Sequence, residues 1–307
     1  MYESYYNLIL PPFQNTPNSR FFFETEQHRE ALAKLEYTVL HRRGFALVTG
    51  EIGAGKTTLI RTLLRRLGPN TKSCLINNTR VEAAQLLRMI AAEFQLDVRD
   101  GADKAEVLTA MRRFVEREYA LGRNLVIIID EGQCLSIDDF EEIRLLTNLE
   151  NETDKLVQLL ILGQPELRNV LAHSRLKPLT QRIAMYCHIG PMSFDDTTRY
   201  IAFRLVRAAK DRPNVDFSKE ALQLIYERAG GVPRVVNLLC DNALLVGYAR
   251  NTRLIDSNIV RRAAAQMMPE KRITTVDDLR RGEEVAPSPR AEREDREEQE
   301  IEDGRRL

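Results

Sequence analysis

The 307-residue sequence has few of the residues that mark disulfide-rich, metal-binding or membrane-spanning proteins. Its four cysteines are spread along the chain without a C-x-x-C pair, which argues against a local metal site and against a disulfide framework. No apolar run approaches the roughly 18 to 20 residues that a membrane helix needs, and the mean hydropathy is −0.34. The opening residues contain no basic stretch followed by an apolar one, so we expect no secretory signal. These absences predict a soluble protein in a reducing, cytoplasmic compartment.

Histidine is also scarce, with four residues in the whole chain. None of them has a second ligand at a spacing that would bind a metal, so we interpret all four as structural. They are His28, His41, His173 and His188.

Charge of neither sign is in excess, because 45 Lys and Arg residues balance 45 Asp and Glu residues. Bulk charge therefore does not indicate a strongly basic nucleic-acid binder. Separated arginine pairs such as Arg65–Arg66 are better explained as solvated helix faces. Residues 269–307 hold nine basic and thirteen acidic residues and few apolar ones. Such a segment cannot bury enough surface to offset its ordering entropy, so we predict a mobile, disordered tail.

Short apolar runs alternate with longer amphipathic stretches, which predicts an α/β fold with a parallel sheet flanked by helices. Runs such as Leu125–Ile129 are apolar at consecutive positions, as in strands that are buried on both faces. The predicted strands are Phe45–Thr49, Ser73–Asn77, Leu125–Ile129, Leu156–Leu162 and Met185–Ile189. The predicted helices between them are Lys56–Leu67, Val81–Phe94, Lys104–Tyr119 and Phe140–Glu150.

After Pro191 the strand pattern stops and four helical segments follow. They are Asp195–Lys210, Ser218–Ala229, Val232–Arg250 and Asp256–Met268, with Asp195, Ser218 and Asp256 as predicted N-caps. We therefore predict an α/β domain over residues 1–190, a small all-helical lid domain over 191–268 and the charged tail over 269–307.

The segment from Gly50 to Thr57 fits the phosphate-loop pattern G-x-x-x-x-G-K-[ST], with an apolar strand before it and a helix after it. Its glycines let consecutive backbone N–H groups point at phosphate oxygens, and the helix adds its positive N-terminal end. Lys56 is expected to reach the β- and γ-phosphates of ATP, and the Thr57 hydroxyl to bind Mg²⁺. The predicted nucleotide-binding residues are Gly50, Glu51, Ile52, Gly53, Ala54, Gly55, Lys56, Thr57 and Thr58.

A second motif, Leu125-Val-Ile-Ile-Ile-Asp130-Glu131, places two carboxylates at the end of a buried strand. Ligands collect at this end of the strands in open parallel sheets. Asp130 is expected to hold Mg²⁺, directly or through water. Glu131 is expected to polarise the water that attacks the γ-phosphate. Acidic residues often simply close a strand, so the assignment depends on the phosphate loop.

The chain resembles AAA+ ATPases of the ExeA type (general secretion pathway protein A) and their pilus-biogenesis relative MshM, and more distantly the TniB-type transposition ATPases. The resemblance covers nearly all of residues 1–268. It rests on MYESYYNL, HREALAKLEY, TGEIGAGKTT, IIIDEGQCL, LTNLENETDKLVQLLILGQPEL, LTQRI and GGVPRVVNLLCDNAL. The blocks GQPEL and LTNLE are more specific to this group than the phosphate loop.

The resemblance implies roles for three further residues. Gln164 matches the polar sensor of the γ-phosphate, although it could also be a turn residue. Arg182 matches an arginine finger that acts in a neighbouring subunit, with Arg175 as a second candidate, and either could be a surface charge. Arg234 matches the lid arginine called sensor 2, or it could simply begin a helix. A guanidinium stabilises charge on the transferring phosphoryl group.

The aromatic residues of the amino-terminal segment allow two interpretations, packing of the segment onto the domain, which we favour, or stacking on adenine. They are Tyr5, Tyr6, Phe13 and Phe21–Phe23. Two departures from the family are visible. Gly132 stands where alanine is usual, which we expect to be mild. The membrane span and peptidoglycan-binding domain of the ExeA type are not in the sequence, which favours the shorter pilus-system relatives.

The resemblance implies an ATP-hydrolysing protein that works as a homo-oligomer, in a hexamer-like ring. Its expected role is to power or regulate assembly of a cell-envelope system: secretion, pilus biogenesis or polysaccharide export. Expected partners are inner-membrane or envelope assembly proteins, and the expected location is the cytoplasm or the inner face of the membrane. Two alternatives stay open: a DNA-linked ATPase of the transposition-helper type, which is less favoured, and a nucleotide-gated scaffold with little turnover.

Overall fold

The computed structural model describes residues 1–16, 18–77, 83–99 and 101–267. Its centre is a five-stranded parallel sheet in the order β2-β3-β4-β1-β5. The strands are β1 (Phe45–Gly50), β2 (Thr71–Ile76), β3 (Asn124–Ile129), β4 (Gln158–Gly163) and β5 (Ile183–Ile189). This confirms the predicted parallel sheet.

Helices precede and connect the strands. In chain order they are α1 (Tyr2–Tyr5), α2 (Glu26–Leu40), α3 (Lys56–Leu67), α4 (Ala83–Glu93), α5 (Lys104–Ala120), α6 (Ile137–Leu146), α7 (Leu167–Leu171) and α8 (Lys177–Thr180). Short 3₁₀ turns occupy Ser19–Phe21, Gly132–Cys134 and Ser174–Leu176. Helix α2 is an element that the apolar patterns do not predict.

The strands β1, β3 and β4 are buried on both faces, as their consecutive apolar residues predict. Side chains alternate across the sheet, so Leu47 and Ile127 pack on one side with α4, α5 and α6. Val48 and Ile128 pack on the other side with α2 and α3. Each fully buried side chain of this kind contributes about 1.5 to 3 kcal/mol. The central strands therefore hold the carboxyl edge of the sheet in place.

Helix α6 shows why one predicted boundary is wrong. Ser136 and Asp139 form a capping box, in which the Ser136 hydroxyl accepts from the Asp139 amide at 3.1 Å and the Asp139 carboxylate accepts from the Ser136 amide at 2.7 Å. The helix therefore starts at Ile137 rather than at Phe140. This cap ends the loop that follows the acidic end of β3.

After β5 the chain is mostly helical, and we call residues 194–266 the C-terminal helical part. It contains α9 (Phe194–Ala208), α10 (Lys219–Ala229), α11 (Pro233–Ala249) and α12 (Ser257–Gln266). Two details correct the predictions. A two-residue parallel pair, β6 (Asp216–Phe217) with β7 (Leu254–Ile255), joins the helices, and the N-cap of α9 is Ser193 instead of Asp195. The predicted caps Ser218 and Asp256 are confirmed, since each accepts from a first-turn amide.

Residues Met1–Ala264 pack as one compact unit, with Gly190-Pro191 as the link between β5 and α9. Within the described residues no helix combines the length and the apolar character needed to cross a membrane. The predicted charged tail, 269–307, lies outside the described residues.

Candidate functional site

The loop between β1 and α3 is built on two glycines with left-handed backbone conformations. Gly53 has φ of 82° and Gly55 has φ of 93°, values that other residues adopt only with strain. A hydrogen bond from the Ala54 amide to the Glu51 carbonyl, at 3.1 Å, closes the turn that follows β1. Gly55 is the N-cap of α3 and provides no side-chain cap, and the uncapped amides at the start of a helix can bind a phosphate group.

Lys56, the first residue of α3, is buried against this loop. Its ammonium group donates to the Gly50 carbonyl at 2.6 Å and to the Glu51 carbonyl at 3.0 Å. Burial lowers the pKa of Lys56, while the nearby carboxylates of Glu131 and Asp130 act in the opposite direction. A cation in this position can compensate the charge of a phosphate group.

Thr57 and Asp130 meet although they lie on different elements. The Thr57 hydroxyl, in α3, donates to one Asp130 carboxylate oxygen at 2.7 Å, and the other accepts from the Glu131 amide at 2.9 Å. Asp130 is 6% exposed and follows β3, the second neighbour of β1 in the sheet. A hydroxyl and a carboxylate oxygen are ligands that Mg²⁺ accepts, so these two residues fit the predicted metal role.

Glu131 leaves β3 in a left-handed conformation, with φ of 55°. Its carboxylate accepts a hydrogen bond from the Gln133 side-chain amide at 2.6 Å. The Gln133 side-chain oxygen accepts from the Gln164 backbone amide at 3.0 Å, just beyond β4. The structure therefore joins two predicted site residues, Glu131 and Gln164, through a residue that the sequence analysis does not assign.

Gly132 lies between the acidic pair and Gln133, in close contact with β4. A Cβ atom at this position would lie 2.5 Å from Ile161 Cγ2 and 3.1 Å from the Leu162 carbonyl oxygen. The alanine that is usual in the family would therefore require β4 or this turn to shift. Glycine here is a packing requirement of this chain rather than a neutral change.

His28, at the start of α2, supports the loop from beneath. Its Nε2 lies 3.2 Å from the Ala54 carbonyl and its Nδ1 lies 2.7 Å from the Thr25 hydroxyl. Since a carbonyl only accepts, Nε2 carries the proton and the Thr25 hydroxyl donates to Nδ1. Burial lowers the pKa of His28, which favours this neutral form. Sequence analysis missed this contact because its two residues are 26 positions apart.

A cavity of about 370 Å³ opens in front of the loop. Loop and helix residues 52–58 line one side of it, together with Glu131. The opposite side comes from the amino-terminal arm (residues 1–16 and 18–24) and from the C-terminal helical part. Arm residues that line the cavity include Gln14, Asn15, Thr16, Phe21, Phe22 and Phe23. Three of the aromatic residues of the arm, Phe21, Phe22 and Phe23, therefore lie at the cavity.

The rest of the arm packs on the C-terminal helical part. Tyr6 is fully buried and its hydroxyl lies 3.1 Å from the Leu244 carbonyl, while the Ile9 amide donates to the Ala208 carbonyl at 2.8 Å. Tyr5 makes an edge contact with Tyr248, with ring centroids 5.5 Å apart. The packing that we favour for these aromatic residues is therefore seen for Tyr5 and Tyr6, and stacking on adenine stays a prediction.

Arg204 of α9 holds the arm at the cavity. This guanidinium is buried and donates to the Pro12 carbonyl, to the Gln14 carbonyl at 3.0 Å and to the Tyr200 hydroxyl at 2.7 Å. The Tyr200 hydroxyl in turn donates to the Asn237 side chain at 2.8 Å. No local pattern in the sequence signals this network, because its partners lie up to 192 residues apart.

Arg234 and Arg182 lie in very different places. Arg234, at the start of α11, lines the cavity and touches the loop, since a Cβ atom on Gly53 would lie 2.4 Å from Arg234 Cβ. Arg182 precedes β5 and donates to the Thr147 hydroxyl at 2.9 Å and to the Asn148 side chain. Strand β5 is the parallel neighbour of β1, and Arg182 lies at the end where both strands begin, whereas the phosphate loop follows the end of β1. At 3.3 Å per residue, the length of β1 separates Arg182 from the loop by about 20 Å. The structure brings Arg234 to the loop of its own chain and keeps Arg182 away from it.

Comparison with known proteins agrees with this geometry. A family model described as an AAA domain matches residues 39–171, which contain the phosphate loop and the acidic pair. General secretion pathway protein A of Aeromonas hydrophila is 39% identical over 255 residues. That match covers 83% of this chain and 46% of the relative, so the chain spans about half the length of the relative.

Solved structures share the fold at low sequence identity. The Aeropyrum pernix ORC2 protein, in ADPNP-ADP complexes, has a TM-score of 0.62 at 17% identity, over 82% of this chain and 72% of that one. The A. pernix ORC1 protein in complex with DNA has a TM-score of 0.60 at 20% identity, over 84% and 70%. The Thermotoga maritima RuvB Holliday junction branch migration motor has a TM-score of 0.54 at 16% identity, over 82% and 73%. The fold, the phosphate loop and the similarity to the secretion protein together show that the chain belongs to the AAA+ family, in the group of general secretion pathway protein A.

Proposed function

We propose that this protein binds Mg·ATP in the cavity between the phosphate loop, the arm and the C-terminal helical part, and hydrolyses it. The observation that carries the proposal is the cluster at the carboxyl edge of the sheet. Lys56, Thr57, Asp130 and Glu131 come from two elements, and hydrogen bonds and charge interactions join them beside one cavity. A purely structural glycine turn would not need an acidic pair and a buried lysine together.

In the proposed mechanism the triphosphate lies over residues 50–58, with its β- and γ-phosphates at Lys56 and at the first amides of α3. Thr57 and Asp130 would hold Mg²⁺, which when bound neutralises charge on the phosphates. Glu131 would orient and deprotonate the attacking water, and Gln164 would sense the γ-phosphate. Arg234 would stabilise charge on the transferring group from the lid side.

The proposed division into domains follows this arrangement. Residues 1–190 would form the nucleotide-binding α/β domain and 191–268 the lid. Because Arg204 and Tyr6 attach the arm to the helices after β5, we propose that the arm moves with the lid. Closure would then bring the arm aromatics and Arg234 onto one nucleotide.

The position of Arg182 supports a homo-oligomer, proposed as a hexamer-like ring. In its own chain this arginine lies where the strands begin, and the phosphate loop lies where they end. A role as arginine finger therefore requires a neighbouring subunit. In such a ring each site would be complete only after assembly.

For the cellular role we propose that hydrolysis powers or regulates assembly of a cell-envelope system. The support is the 39% identity to general secretion pathway protein A. The proposed clients are inner-membrane or envelope proteins of secretion, of pilus biogenesis or of polysaccharide export. The proposed location is the cytoplasm or the inner face of the membrane.

The test compares Lys56→Ala and Glu131→Gln with the wild-type protein. Mg·ATP at about 100 times its dissociation constant should stabilise the wild type by about 2.7 kcal/mol. Lys56→Ala should lose that stabilisation in a thermal unfolding measurement. Glu131→Gln should keep it while turnover falls by about 10² to 10⁴-fold. Wild-type stabilisation of the Lys56 variant by Mg·ATP would refute the assignment of the loop.

Two outcomes would favour other functions. Tight ATP binding by the wild type with negligible turnover would indicate a nucleotide-gated scaffold. ATP-dependent binding to duplex DNA that weakens steeply with salt would indicate a DNA-linked ATPase. The likeness to an ORC1 protein solved in complex with DNA rests on the fold alone at 20% identity, so DNA binding is not part of the proposal.

A further inference from the structure

The turn after β3 holds the side chains of Glu131 and Gln133 next to each other. The backbone bends at Glu131, with φ of 55°, and the bend is closed by hydrogen bonds from the Cys134 amide to the Glu131 carbonyl at 2.9 Å and from the Leu135 amide to the Gly132 carbonyl at 3.2 Å. A non-glycine residue in this conformation is strained, and such strain concentrates at functional sites. The bend directs the side chains of Glu131 and Gln133 at each other.

Gln133 has both ends of its amide satisfied, and only one orientation allows this. The Gln164 backbone amide can only donate, so it must face the Gln133 side-chain oxygen, which lies 3.0 Å away. The Gln133 NH₂ group is then directed at the Glu131 carboxylate, 2.6 Å away. A donor to a carboxylate forms a charge-assisted hydrogen bond, which is stronger than a bond between neutral groups.

Two glycines, one in the turn after β3 and one at the end of β4, make the contact between Gln133 and the Gln164 amide possible. A Cβ atom on Gly163, the last residue of β4, would lie 2.9 Å from the Gln133 side-chain oxygen. On Gly132 it would collide with Ile161 of the same strand. The turn after β3 can therefore lie directly against the end of β4, where the segment with Gln164 begins.

From this geometry we propose that Gln133 is a positioning residue: it aims the Glu131 carboxylate and links its direction to the segment after β4. This inference rests on the proposed ATP hydrolysis. A shift of the Gln164 backbone moves the acceptor end of Gln133 and hence the carboxylate that its other end holds. Gln133 itself touches no reacting atom in this role.

The test measures ATP affinity and turnover separately in two variants. Gln133→Met keeps the length and removes both hydrogen bonds. Gln133→Glu keeps an oxygen for the Gln164 amide but turns a second carboxylate towards Glu131. We expect unchanged ATP affinity in both and a roughly tenfold to hundredfold loss of turnover, larger in Gln133→Glu because like charges repel. Cys134→Ser, an exposed neighbour in the same turn, is the matched control and should behave as wild type.

A double-mutant cycle separates positioning from a merely structural role. If Gln133 acts through the Glu131 carboxylate, Gln133→Met should change single-turnover rates less than about twofold in a Glu131→Gln background. An equal fold loss in both backgrounds, or wild-type turnover of Gln133→Glu, would overturn the inference. Absence of ATP turnover in the wild-type protein would instead refute the proposed function, so the two failures are distinguishable.

Discussion

His28 shows how a single residue can support the site without belonging to the chemistry. Its Nδ1 accepts a hydrogen bond from the Thr25 hydroxyl, and its Nε2–H donates a hydrogen bond to the Ala54 carbonyl of the loop. Gly55 packs on the same ring, since a Cβ atom there would lie 3.2 Å from His28 Nε2. Protonation would replace an acceptor by a second donor in a buried position, which costs desolvation free energy.

This arrangement predicts a dependence of stability on pH. Burial lowers the pKa of His28 below its ordinary value of 6.5, so the unfolded state binds the proton more readily than the folded state. The contribution of His28 to stability is therefore present above about pH 6.5 and is lost as the pH falls through the folded pKa. His28→Gln keeps a donor for Ala54 and does not titrate, so its melting temperature should change less between pH 7.5 and 5.5.

The matched control is His41→Gln, which alters an exposed histidine at the end of the same helix. That variant leaves the contacts of His28 in place, so it controls for the loss of a histidine elsewhere on the helix. Equal slopes for His28→Gln and the wild type in thermal unfolding would show that His28 is not the group responsible.

At the level of elements, the loop and helix α11 depend on each other. Gly53 lies so close to Arg234 that even a methyl group would overlap with the arginine stem at 2.4 Å. Helix α11 therefore docks on the loop through the aliphatic part of the Arg234 side chain, and the glycine serves both the turn and the docking. This second reason for glycine cannot be read from the G-x-x-x-x-G-K-[ST] pattern.

Gly53→Ala separates these two roles when it is compared with Gly122→Ala. Both positions have left-handed backbones, at φ of 82° and 70°, so each variant incurs strain of about 1 to 2 kcal/mol. Nothing lies within 4 Å of a Cβ atom on Gly122, whereas Gly53→Ala also displaces Arg234. We expect Gly53→Ala to melt at a lower temperature than Gly122→Ala and to lose stabilisation by Mg·ATP, measured by thermal unfolding.

Two results would contradict that expectation. One is equal destabilisation of the two variants, which would leave only the backbone strain. The other is full stabilisation of Gly53→Ala by Mg·ATP, which would mean that α11 does not contribute to the bound state.

On the scale of the whole molecule, the two candidate arginines lie at opposite ends of the parallel strands. Arg234 reaches the loop of its own chain, and Arg182 lies at the start of β5, bonded to the segment after α6. The proposed finger role therefore predicts that turnover per subunit rises with protein concentration as neighbours assemble. Arg182→Ala should flatten this rise and leave ATP binding nearly intact.

The decisive measurement mixes Arg182→Ala with Glu131→Gln. One protein then offers an intact Glu131 and the other an intact Arg182, so the mixture should regain activity that neither parent has. Fingers supplied in trans contribute roughly 10³ to 10⁵-fold in related phosphoryl-transfer systems. Arg175→Ala, which removes the second finger candidate, an exposed arginine paired with Asp138, is tested in the same way, and recovery in its mixture instead of the Arg182 mixture would assign the finger to Arg175. A mixture that co-assembles by size-exclusion chromatography and stays inactive would argue against Arg182.

Much of the sheet and of the phosphate site could be predicted from the sequence because the signals are local. Consecutive apolar residues indicate strands buried on both faces, and the eight residues from Gly50 to Thr57 specify their own turn and helix start. Asp130 and Glu131 end such a strand, and a parallel sheet brings strand ends to one edge. The apolar pattern does not fix the boundaries of the elements, as at α6, where the capping box of Ser136 and Asp139 decides the start.

Only the tertiary structure decided which distant residues complete the site. The Gln133 side chain meets the Gln164 amide across 31 positions, His28 meets Ala54 across 26, and Arg204 meets Gln14 across 190. None of these pairs repeats with the period of a helix or a strand, so hydrophobic patterning does not encode them. They arise because a buried polar group must find a partner wherever the packed chain brings one within reach.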